Sequence, residues 1–249
     1  MMNVSIKTVA GLLLTALTFT SLAQQKLYFF TEQYPPYNMT DDGRAFAHKA
    51  DEITGLCTDV IKAVIRETPY DSRIKLRNWK YGMERSKRKA NTGVFCAARS
   101  PEREDLFHWV GPITNLGWAL FSLPGSDIKL NSLEDARDYK IGGYKGDVMS
   151  NYLIEKGFNV ELSDSSQMVP RRLQLGQVDL WVTDQLSGPY TAADAAELEI
   201  KEVLTFRNTP MFLAMNRDTS DDVVNTLQSA LDKLRNNGVL AGIEQAYGR

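Results

Sequence analysis

The chain has 249 residues, and 43% of them are hydrophobic, so it can bury a substantial core as one large domain or as two small ones. Its 29 basic and 31 acidic residues nearly cancel, which leaves a net charge of −2 and gives no electrostatic basis for nucleic-acid binding. The two histidines, His48 and His108, lie far apart in the chain without metal-ligand spacing, so neither a structural zinc site nor a cofactor is expected.

The first 23 residues have the pattern of a secretory signal peptide. Lys7 precedes an apolar run, and Ser21–Ala23 supplies small residues for cleavage. The run, from about Thr8 to Thr20, is shorter than the roughly 18 to 20 residues that cross a membrane. We therefore expect a soluble mature protein that begins near Gln24 and resides in the periplasm.

The next elements alternate between strand and helix. Strands are predicted at KLYFFT (26–31), RIKLRNW (73–79) and VFCAA (94–98). Helices are predicted at 54–67, where Val60, Ile61, Val64 and Ile65 share one face, and at the basic stretch 81–93. This order predicts a parallel sheet covered by helices.

The same order recurs downstream, and this repeat predicts a second unit. DYKIGGY (138–144), FNVEL (158–162) and VDLWVT (178–183) have the pattern of strands. The intervening helices are predicted at 147–157, with Asp147 as N-cap and Gly157 just past the end, and at 167–176.

The last segment is predicted to return to the first unit. Two strands, KEVLTFRNT and MFLAM, precede a helix that opens at TSDDVV and has Val224, Leu227, Leu231 and Leu234 on one face. Such a helix needs a sheet to cover. The predicted fold is therefore an α/β, two-lobed periplasmic-binding-protein fold of type II, in which two parallel-type sheets are joined by two crossover strands. Its parts are a signal peptide (1–23), lobe 1 (24–113), lobe 2 (114–205) and a return to lobe 1 (206–249).

Five motifs, in order along nearly all of the mature chain, resemble those of the family 3 extracellular solute-binding proteins, the receptors of polar amino-acid ABC transporters. They are YPPY after the first strand, ITGLCTDVIKAV, RSPERED, NSLEDARDYKIGGYKG and LGQVDLWVTD. The resemblance implies a protein that is not an enzyme and that closes two lobes on a small ligand.

The resemblance also implies the roles of individual residues. Arg103 matches the arginine that grips a ligand α-carboxylate, with capping of a turn or pairing with Asp105 as the alternative. Asp184 matches the acid that receives the α-ammonium, with N-capping of the next turn as the alternative. Tyr34 matches an aromatic residue that packs on the ligand. Trp79 and Tyr81 stand where family members place aromatic ligand contacts, with core packing as the alternative. Arg99, in the same RSPERED stretch, is expected to form exposed ion pairs with the neighbouring glutamates instead.

Two positions depart from the family pattern. Cys96 and Ala98 stand where the family offers hydroxyls to the carboxylate, and Gly146–Val148 replaces a helix start that carries Ser or Thr. Asp147 would occupy the free N–H groups of that helix and repel a carboxylate, while Lys145 adds a compensating positive charge. We therefore expect a small charged or polar ligand, with Lys145 and Asp147 near it.

Cys57 and Cys96 are the only cysteines in the chain. In an oxidising compartment an even pair without a metal motif favours a disulfide, and the start of the first helix should approach the end of the third strand. Two reduced, buried thiols are the alternative.

The expected function is binding of an amino acid or related carboxylate, by a monomer, for a membrane permease of an ABC transporter. One alternative is a ligand sensor that docks on a membrane signalling protein. A cyclohexadienyl-dehydratase-like enzyme is a further alternative, with Glu32 or Asp147 as a lone carboxylate base.

Overall fold

A computed structural model of the chain describes residues 26–248, and the predicted signal peptide lies outside the described residues. The strands in this range are Lys26–Thr31 (β1), Asp71–Leu76 (β2), Thr92–Ala98 (β3), Phe107–Ser122 (β4), Ile141–Tyr144 (β5), Val160–Ser163 (β6), Leu180–Asp184 (β7) and Lys201–Asn216 (β8). The α-helices are Leu56–Arg66 (α1), Trp79–Arg88 (α2), Val148–Glu155 (α3), Val169–Gln174 (α4), Ser187–Ala196 (α5), Asp221–Asn236 (α6) and Val239–Ala246 (α7).

The strands form one mixed sheet in the order β2-β1-β3-β8-β4-β7-β5-β6. Pairing is parallel between β1 and its neighbours β2 and β3, and between β5 and its neighbours β6 and β7, as the two predicted units require. Antiparallel pairing joins β3 to β8, β8 to β4 and β4 to β7. The two parallel sheets are therefore parts of one continuous sheet, because the crossover strands β4 and β8 pair with each other along their length.

The two lobes lie on either side of these long strands. Lobe 1 contains β1, β2 and β3 with α1, α2, α6 and α7, and lobe 2 contains β5, β6 and β7 with α3, α4 and α5. The segments 201–209 and 211–215, predicted as two strands, form the single strand β8. The lobe boundaries at 113/114 and 205/206 fall inside β4 and β8 and stay a prediction.

The last long helix, α6, packs against α1, α7 and β4, and the predicted return of segment 206–249 to lobe 1 stays a prediction. The buried side chains of α6 recur at helical spacing: Val223, Leu227, Ala230, Leu231 and Leu234. The sequence patterns do not predict α5 or α7. Gly188 and Pro189 in the first turn of α5 read as loop residues, although proline is tolerated where helix N–H groups have no partner within the helix.

Every helix among residues 26–248 is too short or too polar to span a membrane. No group of three or more histidine, cysteine, aspartate or glutamate side chains in that range is arranged to hold a metal ion.

Gly55 is required where the loop after β1 meets the start of α1. Its φ is +112°, and a Cβ at this position would lie 2.5 Å from the carbonyl oxygen of Tyr37. We expect Gly55→Ala to lower the free energy of unfolding by about 2 kcal/mol or more, because both the backbone conformation and the contact resist a side chain. Urea denaturation measures this.

The matched control is Gly43→Ala. Gly43 also has a positive φ, +71°, but a Cβ there would meet no atom within 4 Å. The Gly43→Ala loss should therefore be clearly smaller, and equal losses in the two variants would contradict the steric argument.

Candidate functional site

A cavity of about 710 Å³ lies between the two lobes. Lobe 1 lines it from the carboxyl ends of β1 and β3 and the start of α2, and lobe 2 lines it from the loop between β5 and α3. Its aromatic and charged lining residues are Tyr34, Trp79, Trp118, Tyr144, Glu32, Arg99, Arg103, Asp147 and Arg207. The carboxyl ends of parallel strands are the edge at which α/β sheets bind ligands, so this cavity is the candidate site.

Arg103 lies on the cavity wall, in a 3-10 helix, Pro101–Leu106, that connects β3 to β4. One guanidinium nitrogen donates a hydrogen bond to the carbonyl oxygen of Ala98 at 3.2 Å, and the group lies 5.9 Å from the ring centre of Trp79. Arg103 forms no salt bridge with any residue of the described range. A carboxylate ligand can therefore engage the remaining N–H groups without displacing a protein partner.

Arg99 also borders the cavity, but its guanidinium is already paired. Its Nε donates to a Glu104 carboxylate oxygen at 2.7 Å, and a terminal nitrogen donates to the other oxygen. Both side chains are exposed. The predicted surface ion pair is confirmed for Glu104.

Asp184 ends β7 and is fully buried. Its carboxylate accepts hydrogen bonds from the hydroxyl of Tyr34 at 2.8 Å and from that of Tyr37 at 3.0 Å. The backbone N–H groups of Leu186 and Ser187 donate two further hydrogen bonds to this carboxylate, at 3.0 and 2.9 Å. The structure therefore places Asp184 behind the cavity lining, because two lobe 1 tyrosines occupy the carboxylate that the family resemblance assigns to a ligand ammonium.

This interlobe cluster, formed by Tyr34, Tyr37, Asp184 and Ser187, ties lobe 1 to lobe 2. The Ser187 hydroxyl adds a hydrogen bond to the carbonyl oxygen of Pro35 at 2.7 Å, and the two tyrosine rings stack at 5.4 Å. Burial and the Asp184 carboxylate raise the pKa of Tyr34 well above its usual value. Both the Tyr34 phenol and its hydrogen bond to Asp184 therefore persist at neutral pH.

Asp184→Asn is expected to lower the free energy of unfolding by about 2–3 kcal/mol, because an amide nitrogen would face hydroxyl and N–H donors in a buried position. Urea denaturation measures the loss. Asp164→Asn is the matched control, since that exposed carboxylate pairs only with Lys145 in the described range and should change the urea midpoint little. Equal midpoints for the two variants would contradict the role of the interlobe cluster.

Asp147 lies on the cavity wall as the N-cap of α3, which confirms the predicted cap. Its carboxylate accepts hydrogen bonds from the backbone N–H and the hydroxyl of Ser150, each at 2.7 Å. Burial raises the pKa of Asp147, against the lowering effect of these hydrogen bonds. Lys145 instead points to Asp164, with an Nζ to carboxylate distance of 2.6 Å, and lies outside the cavity lining.

The two aromatic residues predicted at the start of α2 are in different places. Trp79 lines the cavity beside Arg103. Tyr81 is 52% exposed and packs edge-on against Phe30, outside the cavity lining. Two positions along a helix differ by about 200° in direction, so both side chains cannot face the same cavity.

Glu32 and Tyr144 are cavity residues that the motifs leave unassigned to a ligand. Glu32 directly follows β1, and its carboxylate makes no hydrogen bond or salt bridge within residues 26–248. Burial raises the pKa of Glu32. The pKa of Tyr144 is raised to about 12, mainly by burial and also by the negative charges of Asp147, Asp184 and Glu32. Glu32 is thus a partly desolvated carboxylate whose negative charge, like those of the two aspartates, acts on Tyr144.

Trp118 and Arg207 contribute the wall nearest the strands that join the lobes. They are direct neighbours across the β4–β8 pairing, and the Arg207 guanidinium lies 4.5 Å from the Trp118 ring centre. Only the pairing of two segments nearly 90 residues apart brings them together, so no local motif signals them.

Cys57 and Cys96 form a disulfide with a Cα–Cα distance of 5.9 Å, which confirms the predicted bond. Cys57 is fully buried in the first turn of α1, and Cys96 lines the cavity from β3. The bond therefore fixes the helix to the strand directly below the candidate site.

Comparison with known proteins gives matches among solved structures. No family model matches the chain, and no curated protein does. The second substrate-binding domain of a putative amino acid ABC transporter from Streptococcus pneumoniae is similar at 14% identity and a TM-score of 0.74. The match covers 89% of this chain and 99% of the other. An ancestral arginine-binding protein bound to arginine is similar at 20% identity and a TM-score of 0.65, covering 91% and 99%.

A histidine kinase sensor domain with similarity to periplasmic binding proteins is also similar, at 18% identity and a TM-score of 0.68, covering 90% of this chain and 96% of the other. At these identities the likeness establishes the fold. The chain has the two-lobed fold of periplasmic binding proteins, in agreement with the resemblance of its motifs to the family 3 solute-binding proteins.

Proposed function

We propose that this protein is a periplasmic solute-binding protein that closes on a small polar ligand, an amino acid or a related carboxylate, for uptake by an ABC transporter. The observation that carries the proposal is the position of Arg103. Its guanidinium lies in a cavity between two lobes and forms no salt bridge with an acid in the described part of the chain. A ligand carboxylate is the natural partner for such a group.

The two-lobed arrangement supplies the mechanism. Arg103 and Trp79 reach the cavity from lobe 1, whereas Tyr144 and Asp147 reach it from lobe 2. A ligand that contacts both sets of side chains stabilises the closed arrangement over the open one, because only the closed arrangement satisfies both. Closure would then be the signal that a membrane partner reads.

The solved structures support this class of function. Among the similar proteins are substrate-binding domains of amino acid ABC transporters and an arginine-binding protein bound to arginine. The proposed periplasmic location depends on the signal-peptide pattern of residues 1–23, and the proposed partner is a membrane permease that a monomer approaches. The transporter domain and the arginine-binding protein among these structures bind ligands, so no turnover is proposed for this chain.

A sensor role is the second candidate, favoured by the similarity to a histidine kinase sensor domain. The same cavity serves both roles, and the partner distinguishes them. Adjacent genes for a permease and an ATPase support uptake, whereas an adjacent gene for a membrane kinase or cyclase supports sensing.

A thermal-shift screen of residues 24–249 against amino acids, polyamines, small organic acids and short peptides tests the binding function. A ligand at 100 times its dissociation constant adds about 2.7 kcal/mol of apparent stability, which a melting curve resolves. A hit among the carboxylates supports the proposal. Stabilisation by none of these compounds contradicts it.

A further inference from the structure

The acid that would receive a ligand ammonium by family resemblance is not accessible in this structure. Asp184 is fully buried, and its two oxygens accept four hydrogen bonds from protein donors. A ligand cation would have to displace the hydroxyl of Tyr34 or Tyr37 to reach it. The cavity therefore needs another acceptor if its ligand carries a positive charge.

Glu32 has the properties of such an acceptor. It lines the cavity, and its carboxylate has neither a hydrogen bond nor an ion pair with the described residues. The other cavity carboxylate, Asp147, is already engaged by the backbone N–H and the hydroxyl of Ser150. Both of these bonds reach Oδ2 of Asp147, whereas neither oxygen of Glu32 is engaged by a described residue, so Glu32 is the cavity acid with the most unused hydrogen-bonding capacity.

Glu32 and Arg103 lie in one cavity without pairing with each other. Glu32 follows β1 and Arg103 follows β3, and these strands are parallel neighbours, so both residues lie at the same edge of the lobe 1 sheet. Their charged groups are nevertheless too far apart to form a salt bridge. The cavity thus presents a negative and a positive group at separate positions of its lobe 1 wall, each available to a ligand.

Closure of the lobes would increase the free-energy cost of leaving the Glu32 carboxylate without a partner. Burial already raises the pKa of Glu32, because the charged form loses contact with water there. A ligand that fills the cavity removes more water from the carboxylate, and a buried carboxylate without a partner is strongly disfavoured. A cationic group on the ligand removes this penalty, whereas a second anionic group increases it.

We propose that the ligand is a carboxylate that also carries a cationic group, and that Glu32 receives the cation in place of Asp184 while Arg103 receives the carboxylate. This inference rests on the proposed binding function and specifies its ligand class. The aromatic walls formed by Trp79, Trp118, Tyr34 and Tyr144 suit both an apolar ligand body and a cation, which is attracted to aromatic faces.

The main competing ligand is a dicarboxylate held by Arg103 and Arg207. Arg207 lines the cavity and has no salt bridge in the described range, so it offers a second anion site. A dicarboxylate would, however, bring a further negative charge beside Glu32 and Asp147. The observations therefore favour the cationic carboxylate, and the dicarboxylate becomes an outcome of the test.

The test uses five six-carbon carboxylates that differ only in charged groups: L-lysine, L-norleucine, 6-aminohexanoate, hexanoate and adipate. Titration calorimetry measures each against the mature chain and against Glu32→Gln. Glu84→Gln is the matched control, because Glu84 is an exposed carboxylate on α2 that pairs with Lys87 and Arg88. Glu32→Gln should fold, since a neutral amide replaces a carboxylate without a protein partner in the described chain.

We expect at least one of the three ammonium-bearing compounds to bind at least about tenfold more tightly than hexanoate and adipate. Glu32→Gln should reduce that preference to about threefold or less, and Glu84→Gln should retain it.

A preference that survives in Glu32→Gln overturns the inference. So does tighter binding of adipate or hexanoate, or a tightest ligand in the wider screen without a cationic group; in these three cases the proposed binding function stands. Absence of any ligand contradicts the binding function itself.

Discussion

Replacing Arg103 with alanine is expected to weaken binding of a carboxylate ligand by about 30-fold or more. Loss of a charge-assisted contact in a desolvated site costs about 2 kcal/mol or more, and about 2 kcal/mol corresponds to about 30-fold in affinity. Since Arg103 pairs with no acid among residues 26–248, its removal leaves no protein carboxylate newly unpaired. Titration calorimetry with the tightest carboxylate from the screen measures the loss.

Two further variants accompany Arg103→Ala: one tests whether the planar, two-pronged guanidinium is needed for binding, and the other is a control. Arg103→Lys keeps the charge but cannot donate two parallel hydrogen bonds, so it should recover only part of the lost affinity. Arg88→Ala removes an arginine from the same lobe that pairs with Glu84 on the surface, and it should bind as the unmodified protein does. Unchanged affinity in Arg103→Ala would show that the anion site lies elsewhere.

Removing the Cys57–Cys96 disulfide is expected to produce the largest loss of stability. The bond closes a loop with a sequence separation of 39 residues. The chain-entropy relation gives about 4 kcal/mol for a loop of this length, which corresponds to a fall of about 10 °C in melting temperature for a chain of this size. The variant is Cys57→Ala with Cys96→Ala, measured by calorimetry.

Reduction of the unmodified protein provides the matched experiment. A phosphine reductant should lower its melting temperature towards that of the double-alanine variant, whose own melting temperature should not respond to the reductant. Cys96 has a φ of +60°, and alanine is subject to the same backbone restriction as cysteine, so this conformation does not bias the comparison. Identical melting temperatures with and without reductant would contradict a stabilising role for the bond.

Much of the fold could be predicted because the relevant signals are local. Alternating apolar strands and amphipathic helices predict both units, and Asp147 predicts the start of α3 through the capping chemistry of its side chain. The continuity of the sheet could not be predicted in this way. It depends on pairing between β4 and β8, which are far apart in sequence, and no local pattern specifies that register.

The same distinction between local signals and long-range contacts applies to the candidate site. Four predicted residues are on the cavity lining because each lies within a few residues of an element end that faces the cleft: Arg103, Tyr34, Trp79 and Asp147. The position of Asp184 depends on two tyrosine hydroxyls from the other lobe. Tyr81 and Lys145 lie outside the lining for local reasons: a helix directs Tyr81 away, and an exposed ion pair holds Lys145.

The long strands also determine how one lobe can move against the other. Between the last pairing of β8 with β3, at Met211, and the first pairing of β4 with β7, at Trp118, the described sheet narrows to the two strands β4 and β8. Two-stranded ribbons carry a larger twist than wide sheets do. Any rotation between the lobes must therefore be absorbed as torsion of this ribbon, and Arg207 and Thr209, which lie on it, also line the cavity. Ligand contact and torsion of the ribbon thus act on the same short segment of backbone.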